Sequence, residues 1–184
     1  MPEIAMSVLD VAQNSVRAKA TLITIDIAAD HAADSLTVTI TDNGCGMTPE
    51  QAAQVEDPFF TTRTTRKVGL GVPFFKQAAL ATGGSFRIDS KVGEGTVVTA
   101  RFVLSSIDRM PLGDICGTVG TLIRYNPELD VLYSYRVDDR QFRLDTRQFR
   151  EILGGVPLDA PDVTQYIREY LAENTQETNQ GAEI

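Results

Sequence analysis

The sequence predicts an α+β fold in which helices pack as one layer against an antiparallel or mixed β-sheet. Three observations support this prediction. Apolar residues recur at helical spacing in residues 4–18, and β-forming residues alternate with period two in residues 21–29 and 35–42. A second helix followed by a hairpin is predicted over residues 70–104. The order is therefore helix, two strands, loop, helix, two strands.

Local signals mark the ends of several of these elements. The segment "TPEQ", residues 48–51, has a threonine cap, a proline in the first turn and a glutamine that completes a capping box, so a short helix starts there. Residues 57–69 are basic, rich in hydroxyl groups and aperiodic, which indicates a loop. The helix of residues 70–84 ends at a glycine pair, and the hairpin of residues 85–104 turns at "KVGEG".

Residues 105–184 are predicted to form a smaller α+β extension of the domain formed by residues 1–104. We expect "GTVGTLIRY" and "VLYSYRV" to form a hairpin, "DTRQFREIL" to form a capped helix, and a last helix to span residues 160–172. The polar residues 173–184 are expected to be a disordered tail. This extension is either an interaction or dimerisation module or a completion of the first domain's sheet, and the sequence favours neither.

Composition excludes several classes of protein. The chain has 184 residues, of which 42% are hydrophobic, enough for a soluble protein with a sizeable core. A net charge of −8 makes nucleic acid a poor partner. No apolar run approaches the roughly 20 residues that span a bilayer, and no signal peptide is evident, so we expect a cytoplasmic protein without membrane contact. Cys45 and Cys116 lie far apart and His31 is the only histidine, so neither a disulfide nor a Cys–His metal site is expected.

Three separated segments contain residues suited to chemistry. In "LDVAQNSVRAKA", Asp10 and Asn14 are four residues apart and project from the same helix face. Taken alone, this pair is more typical of polar residues at a helix edge. In "DNGCGM", Asp42 ends a strand and can accept a hydrogen bond from an amino group, while Gly44 and Gly46 allow a ligand to approach the backbone. Taken alone, that segment is more typical of an ordinary turn.

The third segment, "TTRTTRKVGLGVPFF", combines positive charge with glycines at the start of a helix. Arg63, Arg66 and Lys67 form the densest basic cluster in the N-terminal half of the chain. They precede Gly69 and Gly71 at a predicted helix N-terminus, where free N–H groups favour a phosphate. Neither a G-x-x-x-x-G-K-[ST] nor a G-x-G-x-x-G motif is present, which excludes the two commonest phosphate-binding loops.

Together the segments resemble the ATP-binding domain of the GHKL superfamily, which contains gyrase, heat-shock chaperones, histidine kinases and mismatch-repair ATPases. "LDVAQNSVRAKA" resembles its N box, "DNGCGM" its first glycine box and "DPFFTT" the F box of histidine kinases. "VGLGVPFF" resembles the second glycine box, and "GEGTVVTARF" the last glycine-threonine strand. The resemblance covers residues 4–104. It implies a Bergerat fold, which is a two-layer α/β sandwich with a mixed, largely antiparallel sheet.

The resemblance also implies roles for individual residues, beginning with the adenine end of the site. Asp42 would accept a hydrogen bond from the adenine amino group. Gly44, Gly46 and Met47 of the first glycine box would shape the pocket. Thr96 would support the adenine through its hydroxyl or through a water molecule.

At the phosphate end, the resemblance implies that Asn14 binds Mg²⁺ through its side-chain oxygen. An ATP lid, residues 48–68, would be anchored by Phe59 or Phe60. The phosphates would be contacted by basic side chains of the lid and by the second glycine box, which are Arg63, Arg66, Lys67, Gly69, Leu70 and Gly71.

The resemblance implies an enzyme that uses ATP and Mg²⁺. Asp10 stands where hydrolases and serine kinases of the superfamily place a Glu that orients a water or hydroxyl, so it is the candidate general base. Because the domain begins within a few residues of Met1, we expect a stand-alone domain without an upstream phosphoacceptor hairpin. It would transfer the γ-phosphoryl group to a partner protein in bacterial-type signalling. A homodimer is a further expectation, for which the sequence defines no interface. An ATP-hydrolysing switch and a non-catalytic ATP sensor are the alternatives.

Overall fold

The computed structural model describes residues 2–59 and 70–184 of the chain. In chain order, its elements are α1 (Ile4–Arg17), β1 (Leu22–Asp30), β2 (Ser35–Asp42), α2 (Pro49–Val55), α3 (Gly71–Ala81), β3 (Ser85–Lys91), β4 (Gly95–Val103), α4 (Ile115–Tyr125), β5 (Asp130–Val137), β6 (Arg140–Asp145), α5 (Thr146–Leu153) and α6 (Pro161–Asn179). The strands form one sheet in the order β3-β4-β2-β1-β5-β6. Neighbouring strands are antiparallel except for the parallel pair β1 and β5. The predicted α+β fold with a mixed, largely antiparallel sheet is confirmed.

The alternation of residues along the central strands determines which face of the sheet is buried. In β1, Ile23, Ile25 and Ile27 are at most 1% exposed, whereas Thr24 and Asp26 between them are half-buried. Successive side chains of a strand point to opposite faces, so the isoleucines lie on one face and the polar residues on the other. Helix α1 packs against α3 and against α4, and α1, α3 and α6 each contact strands of the sheet. Helix α1, which contains the candidates Asp10 and Asn14, therefore covers the apolar face of the sheet.

The capping signals predicted from the sequence are present in the structure. The Thr48 hydroxyl accepts a hydrogen bond from the Gln51 N–H at 3.2 Å, and the Gln51 side chain accepts one from the Thr48 N–H at 2.9 Å. Asp145 caps α5 by accepting from the Arg147 N–H at 3.0 Å, and Gly154 ends that helix in the left-handed conformation with φ of 58°. These contacts satisfy backbone groups that the helix ends leave unpaired.

The predicted hairpin of "GTVGTLIRY" with "VLYSYRV" is wrong, because residues 117–125 belong to helix α4 and β5 pairs with β6 instead. Valine, threonine, isoleucine and tyrosine favour strands locally. Two features outweigh that preference. Asp114 caps the helix by accepting from the Gly117 N–H at 2.8 Å, and the apolar residues recur at helical spacing. The buried residues of this helix are Ile115, Val119, Leu122 and Ile123.

Strands β5 and β6 extend the same sheet that β1 to β4 form. Residues 22–29 of β1 pair in parallel with residues 130–137 of β5, and β6 follows at the edge. The sequence left two alternatives for this part of the chain, an interaction module or a completion of the sheet. Strands β5 and β6 complete the sheet. An interaction role for residues 105–172 stays a prediction.

Helix α6 extends to Asn179, so the predicted helix end at residue 172 and the disordered tail are wrong for residues 173–179. Polar contacts, rather than the apolar periodicity used for the prediction, hold this segment. The Arg140 guanidinium donates to the Thr178 carbonyl at 2.7 Å, and the Tyr135 hydroxyl donates to Asn179 Oδ1 at 2.7 Å. Such contacts leave no apolar pattern in the sequence.

Among residues 2–59 and 70–184, no helix has both the length and the apolar character that crossing a membrane requires.

The contact between Tyr135 and Asn179 provides a test of the C-terminal helix. Tyr135 is 1% exposed, so Asn179→Ala leaves its hydroxyl without this acceptor and should lower the free energy of unfolding by about 1–3 kcal/mol in urea denaturation. The double variant with Tyr135→Phe should lose less than the sum of the two single variants, because no unpaired hydroxyl remains. Unchanged stability of Asn179→Ala would contradict an ordered helix end.

Candidate functional site

Asp42 occupies the last position of β2, on the face of the sheet that the helices cover. Val38 and Ile40 precede it at intervals of two residues and are both buried, so the alternation directs Asp42 toward the helix layer. The Ser15 hydroxyl of α1 donates to Asp42 Oδ2 at 2.6 Å, and the Gly44 N–H donates to Oδ1 at 2.9 Å. Both carboxylate oxygens are therefore oriented, and each retains acceptor capacity for a further donor.

The glycine-rich loop after Asp42 packs closely against Ala18 and Lys91. A Cβ at Gly44 would lie 2.8 Å from Cβ of Ala18, and the Cys45 N–H donates to the Ala18 carbonyl at 2.9 Å. Gly46 has φ of 68°, and a Cβ there would overlap the Lys91 carbonyl. These glycines were predicted to admit a ligand to the backbone. In the structure the atoms that approach them belong to the end of α1 and to the β3–β4 turn.

Residues of strands β3 and β4 lie next to Asp42. Thr96 is the register partner of Asp42 in the β2–β4 ladder, so the two side chains lie on the same face. The Thr96 hydroxyl lies 2.8 Å from the Ser90 hydroxyl, and Ser90 Oγ accepts the Met47 N–H at 2.8 Å. Thr96 and Met47 are thus brought to Asp42, as the resemblance implies, although their contact with a nucleotide stays a prediction.

Asp10 and Asn14 lie on the exposed side of α1, one helical turn apart. Asn14 Oδ1 accepts a hydrogen bond from the Arg17 guanidinium at 2.9 Å. Burial raises the pKa of the Asp10 carboxyl above its ordinary value, and the charge of Arg17 opposes that shift. A carboxyl whose pKa is raised takes up a proton more readily, which suits a general base.

The N-terminus of α3 lies directly beside Asp10. A Cβ at Gly71 would be 2.6 Å from Cβ and 2.8 Å from Oδ2 of Asp10, so glycine allows the two helices to approach this closely. Leu70 precedes the helix without a capping side-chain hydrogen bond among the described residues. Pro73 has no N–H, so Gly71 and Val72 contribute the N–H groups at the very start of the helix, a position that favours an anion.

The remaining predicted site residues belong to the lid. The Phe59 side chain is 94% exposed, and its role as an anchor of the lid stays a prediction. Phe60, Arg63, Arg66, Lys67 and Gly69 lie outside the described residues, and their roles stay predictions.

A profile of the family described as "Histidine kinase-, DNA gyrase B-, and HSP90-like ATPase" matches residues 3–106, more than half of the chain. The chain belongs to this family. The range agrees with the span from the N box to the last glycine-threonine strand of the GHKL resemblance.

Curated relatives of this GHKL domain are sensor kinases. The sensor protein kinase FleS of Pseudomonas aeruginosa is 36% identical over 109 residues, which cover 59% of this chain and 26% of FleS. The probable C4-dicarboxylate sensor kinase of Bacillus subtilis is 36% identical over 72 residues, which cover 39% of this chain and 14% of that kinase. The similarity therefore extends over a small part of each relative.

A solved structure supports the fold at low sequence identity. The structure described as the N-terminal domain of a DNA repair protein aligns with a TM-score of 0.53 and 14% identity. The alignment covers 79% of this chain, a larger share than the family profile, and 53% of that structure. At this identity the likeness concerns the fold alone.

The described residues could supply only a small part of the ligands that a magnesium ion needs. The described residues contain no group of three His, Cys, Asp or Glu side chains able to hold a metal. Asn14 can still supply one oxygen, because Mg²⁺ commonly keeps several waters and takes its other ligands from phosphates. Its amide oxygen already accepts one hydrogen bond from Arg17 and retains a second lone pair.

Sequence reasoning missed three residues that build the site. Ser15 orients Asp42, Ser90 joins Met47 to Thr96, and a Cβ at Gly95 would overlap the Asp42 carbonyl. Ser15 had a visible signal, because it is a polar residue in an otherwise apolar helical stripe. Ser90 had none, since it is one of several polar residues in an exposed edge strand.

Two glycines with positive φ provide a matched test of the loop packing. Gly46 has φ of 68° and Gly93 has φ of 81°, but a Cβ at Gly93 would meet no atom within 4 Å. Gly93→Ala should therefore lose about 1 kcal/mol of stability from backbone strain alone. Gly46→Ala should lose distinctly more, because the Lys91 carbonyl must also move. Equal losses in urea denaturation would show that the contact with Lys91 has no energetic importance.

Proposed function

We propose that this protein binds Mg²⁺-ATP and transfers the γ-phosphoryl group to a partner protein. The observation that carries the proposal is the arrangement of α1 between two other segments of the chain. Ser15 of α1 hydrogen-bonds Asp42 at the end of β2, and Asp10 of the same helix lies beside Gly71 at the N-terminus of α3. One helix thereby connects a candidate base-binding carboxylate with a candidate phosphate-binding helix end.

At the base end, Asp42 presents acceptors that match the amino group of adenine. Its carboxylate is held by Ser15 and Gly44, and Thr96 lies beside it on the neighbouring strand. A buried donor of the ligand is well recognised only when a fixed acceptor faces it. These contacts support adenine rather than a base without an exocyclic amino group.

At the phosphate end, the first turn of α3 has no capping side chain among residues 2–59 and 70–184, which supports binding of an anion. The N–H groups of Gly71 and Val72 and the positive end of the helix dipole favour phosphate oxygens. Bound Mg²⁺ would neutralise phosphate charge, with Asn14 as its protein ligand. Asp10 then lies at the same end as the phosphates, where it can take a proton from an attacking group.

The position of His31 supports transfer to a partner rather than to this chain. His31 lies in the β1–β2 connection, where it contacts Asp138 with Nδ1 2.9 Å from the carboxylate. That connection is at the opposite end of β2 from Asp42, because β1 and β2 are antiparallel. The relatives named as sensor kinases support kinase activity, as far as their similarity extends.

Hydrolysis of ATP is the second candidate, and the exposure of Asp10 favours it. A carboxyl at the surface beside the phosphate end can take the proton of a water as readily as that of a partner hydroxyl or imidazole. Such an ATPase would act as a conformational switch.

A labelling experiment distinguishes these activities. The purified protein is incubated with γ-labelled ATP and Mg²⁺, alone and with cell extract. Label on a protein of the extract that appears only when this chain is added supports the transfer proposed here, whereas label on this chain alone would contradict it. Released phosphate without labelled protein supports the ATPase. Neither product, combined with measurable ATP binding, would leave a non-catalytic ATP sensor and overturn the proposal.

The same assay tests Asp10 as the general base. Asp10→Asn should reduce the observed activity by about 10²–10⁴-fold while nucleotide affinity is retained, since the amide cannot accept the proton. Because the pKa of Asp10 is raised in the folded state, its ionised form opposes folding above the ordinary pKa. Asp10→Asn should therefore be slightly more stable than the wild type at pH 7, and this gain should vanish in acid. Full activity in the variant would exclude the catalytic role.

Asp42→Asn tests the adenine contact. Replacement of one acceptor oxygen by an NH₂ group should weaken ATP and ADP binding by about 1–3 kcal/mol in titration calorimetry. Asp26→Asn is the matched control, because Asp26 is a half-buried strand carboxylate on the opposite face of the sheet. Equal affinities of the wild type and Asp42→Asn would contradict the adenine assignment.

A further inference from the structure

The two edge strands of the sheet, β6 and β3, differ in what lies beside them. Helix α6 contacts β6, and its Tyr170 hydroxyl donates to the Arg143 carbonyl of that strand at 3.0 Å. Strand β3 pairs with β4 on one side and, within residues 2–59 and 70–184, with no strand on the other. An edge strand leaves the N–H and C=O groups of every second residue free to pair with a further strand. The β3 edge can therefore accept one.

The exposed side chains of β3 carry opposite charges two residues apart. Ile88 pairs with the buried Val98 and so lies on the helix side, which places Arg87 and Asp89 on the open face of the sheet. Their side chains are 75% and 50% exposed. Arg87 donates to Asp89 Oδ1 through Nε at 2.9 Å and through Nη2 at 2.7 Å. Asp89 Oδ2 takes no part in these two bonds, and the guanidinium has further N–H groups, so each side chain can bind a second partner.

We propose that β3 is the interface of a symmetric homodimer, in which the β3 strands of two copies pair antiparallel and join the two sheets. Pairing over the whole length of Ser85–Lys91 places Ile88 opposite Ile88 of the second copy, because it is the central residue of the strand. Arg87 and Asp89 are equidistant from that centre. Arg87 of each copy therefore lies directly opposite Asp89 of the other, where opposite charges stabilise a pair of strands.

The register that pairs the most residues is thus also the register in which the charges are complementary. A shift of one copy by two residues would place either Arg87 opposite Arg87 or Asp89 opposite Asp89, and like charges in that position are destabilising. Charges on an edge strand commonly prevent association. A strand with charges of one sign does so by repelling its copy, whereas Arg87 and Asp89 attract a second copy in this register alone.

The helices of the two copies are compatible with this pairing. Antiparallel strands related by a two-fold axis keep the same face of both sheets on the same side, so the helix layers lie next to each other. Helix α2 contacts β3 and has no buried residue, so it can enlarge the contact. A pair of strands alone buries less surface than a standard interface, and we therefore expect a weak dimer that forms at high protein concentration.

Sedimentation velocity with charge-reversed variants tests the interface at physiological ionic strength. Arg87→Asp leaves two acidic residues at these positions and Asp89→Arg leaves two basic ones, so each variant should dimerise at least about tenfold more weakly than the wild type. An equimolar mixture of the two variants should dimerise again, because every charge then faces its opposite. The double variant Arg87→Asp/Asp89→Arg should dimerise like the wild type.

Arg136→Asp is the matched control, because it changes the net charge of the protein as Arg87→Asp does. Arg136 is an exposed residue on the open face of β5, inside the sheet, so its replacement should leave dimerisation unchanged. A wild type that stays monomeric at about 1 mM would overturn the inference. Dimerisation that persists in both single variants, that is lost equally in Arg136→Asp, or that does not return in the mixture would overturn it as well. The assay contains no nucleotide, so each of these outcomes leaves the proposed function as it stands.

Discussion

The carboxylate of Asp42 on the buried face of the sheet is the constraint on which the candidate site depends. A charged group directed toward a helix layer is costly unless donors surround it. Ser15 and Gly44 supply these donors, which fixes α1 over the end of β2 and fixes the loop after it. The same helix then places Asp10 against the start of α3. The contacts that pack α1 onto the sheet therefore also place the residues of the candidate site.

The N-terminal half was largely predictable, because its signals are local. The apolar stripe of α1, the alternation of β1 and β2, and the capping box of Thr48 and Gln51 each depend on residues close in sequence. Helix α4 was predicted wrongly because strand-forming residues fill it, whereas its cap and its burial against other helices decide its conformation. The end of α6 was missed because polar contacts with Arg140 and Tyr135 hold it.

Of the site itself, the motifs indicated which residues to consider, but not what surrounds them. The place of Asp42 at a strand end and the pairing of Asp10 with Asn14 follow from spacing. The donor to Asp42 does not, because Ser15 is 27 residues away in sequence. Gly44 and Gly46 were noticed for the space they leave, yet atoms of Ala18 and Lys91 occupy that space. Contacts of this kind depend on how distant segments pack, which a single sequence does not state.

The parallel pairing of β1 with β5 has a consequence for synthesis of the chain. β1 contains the alternating isoleucines of the core, and it lies inside the sheet only because residues 130–137 pair with it. Before residues 130–137 have been synthesised, β1 is an edge strand. Its backbone N–H and C=O groups on that side are unpaired, and its isoleucine side chains lie next to the open edge. Such edges are prone to aggregation and attract chaperones. The strand that covers this edge of β1 therefore lies outside the part of the chain that the motifs recognise, and the sheet is closed on this side only by residues beyond it.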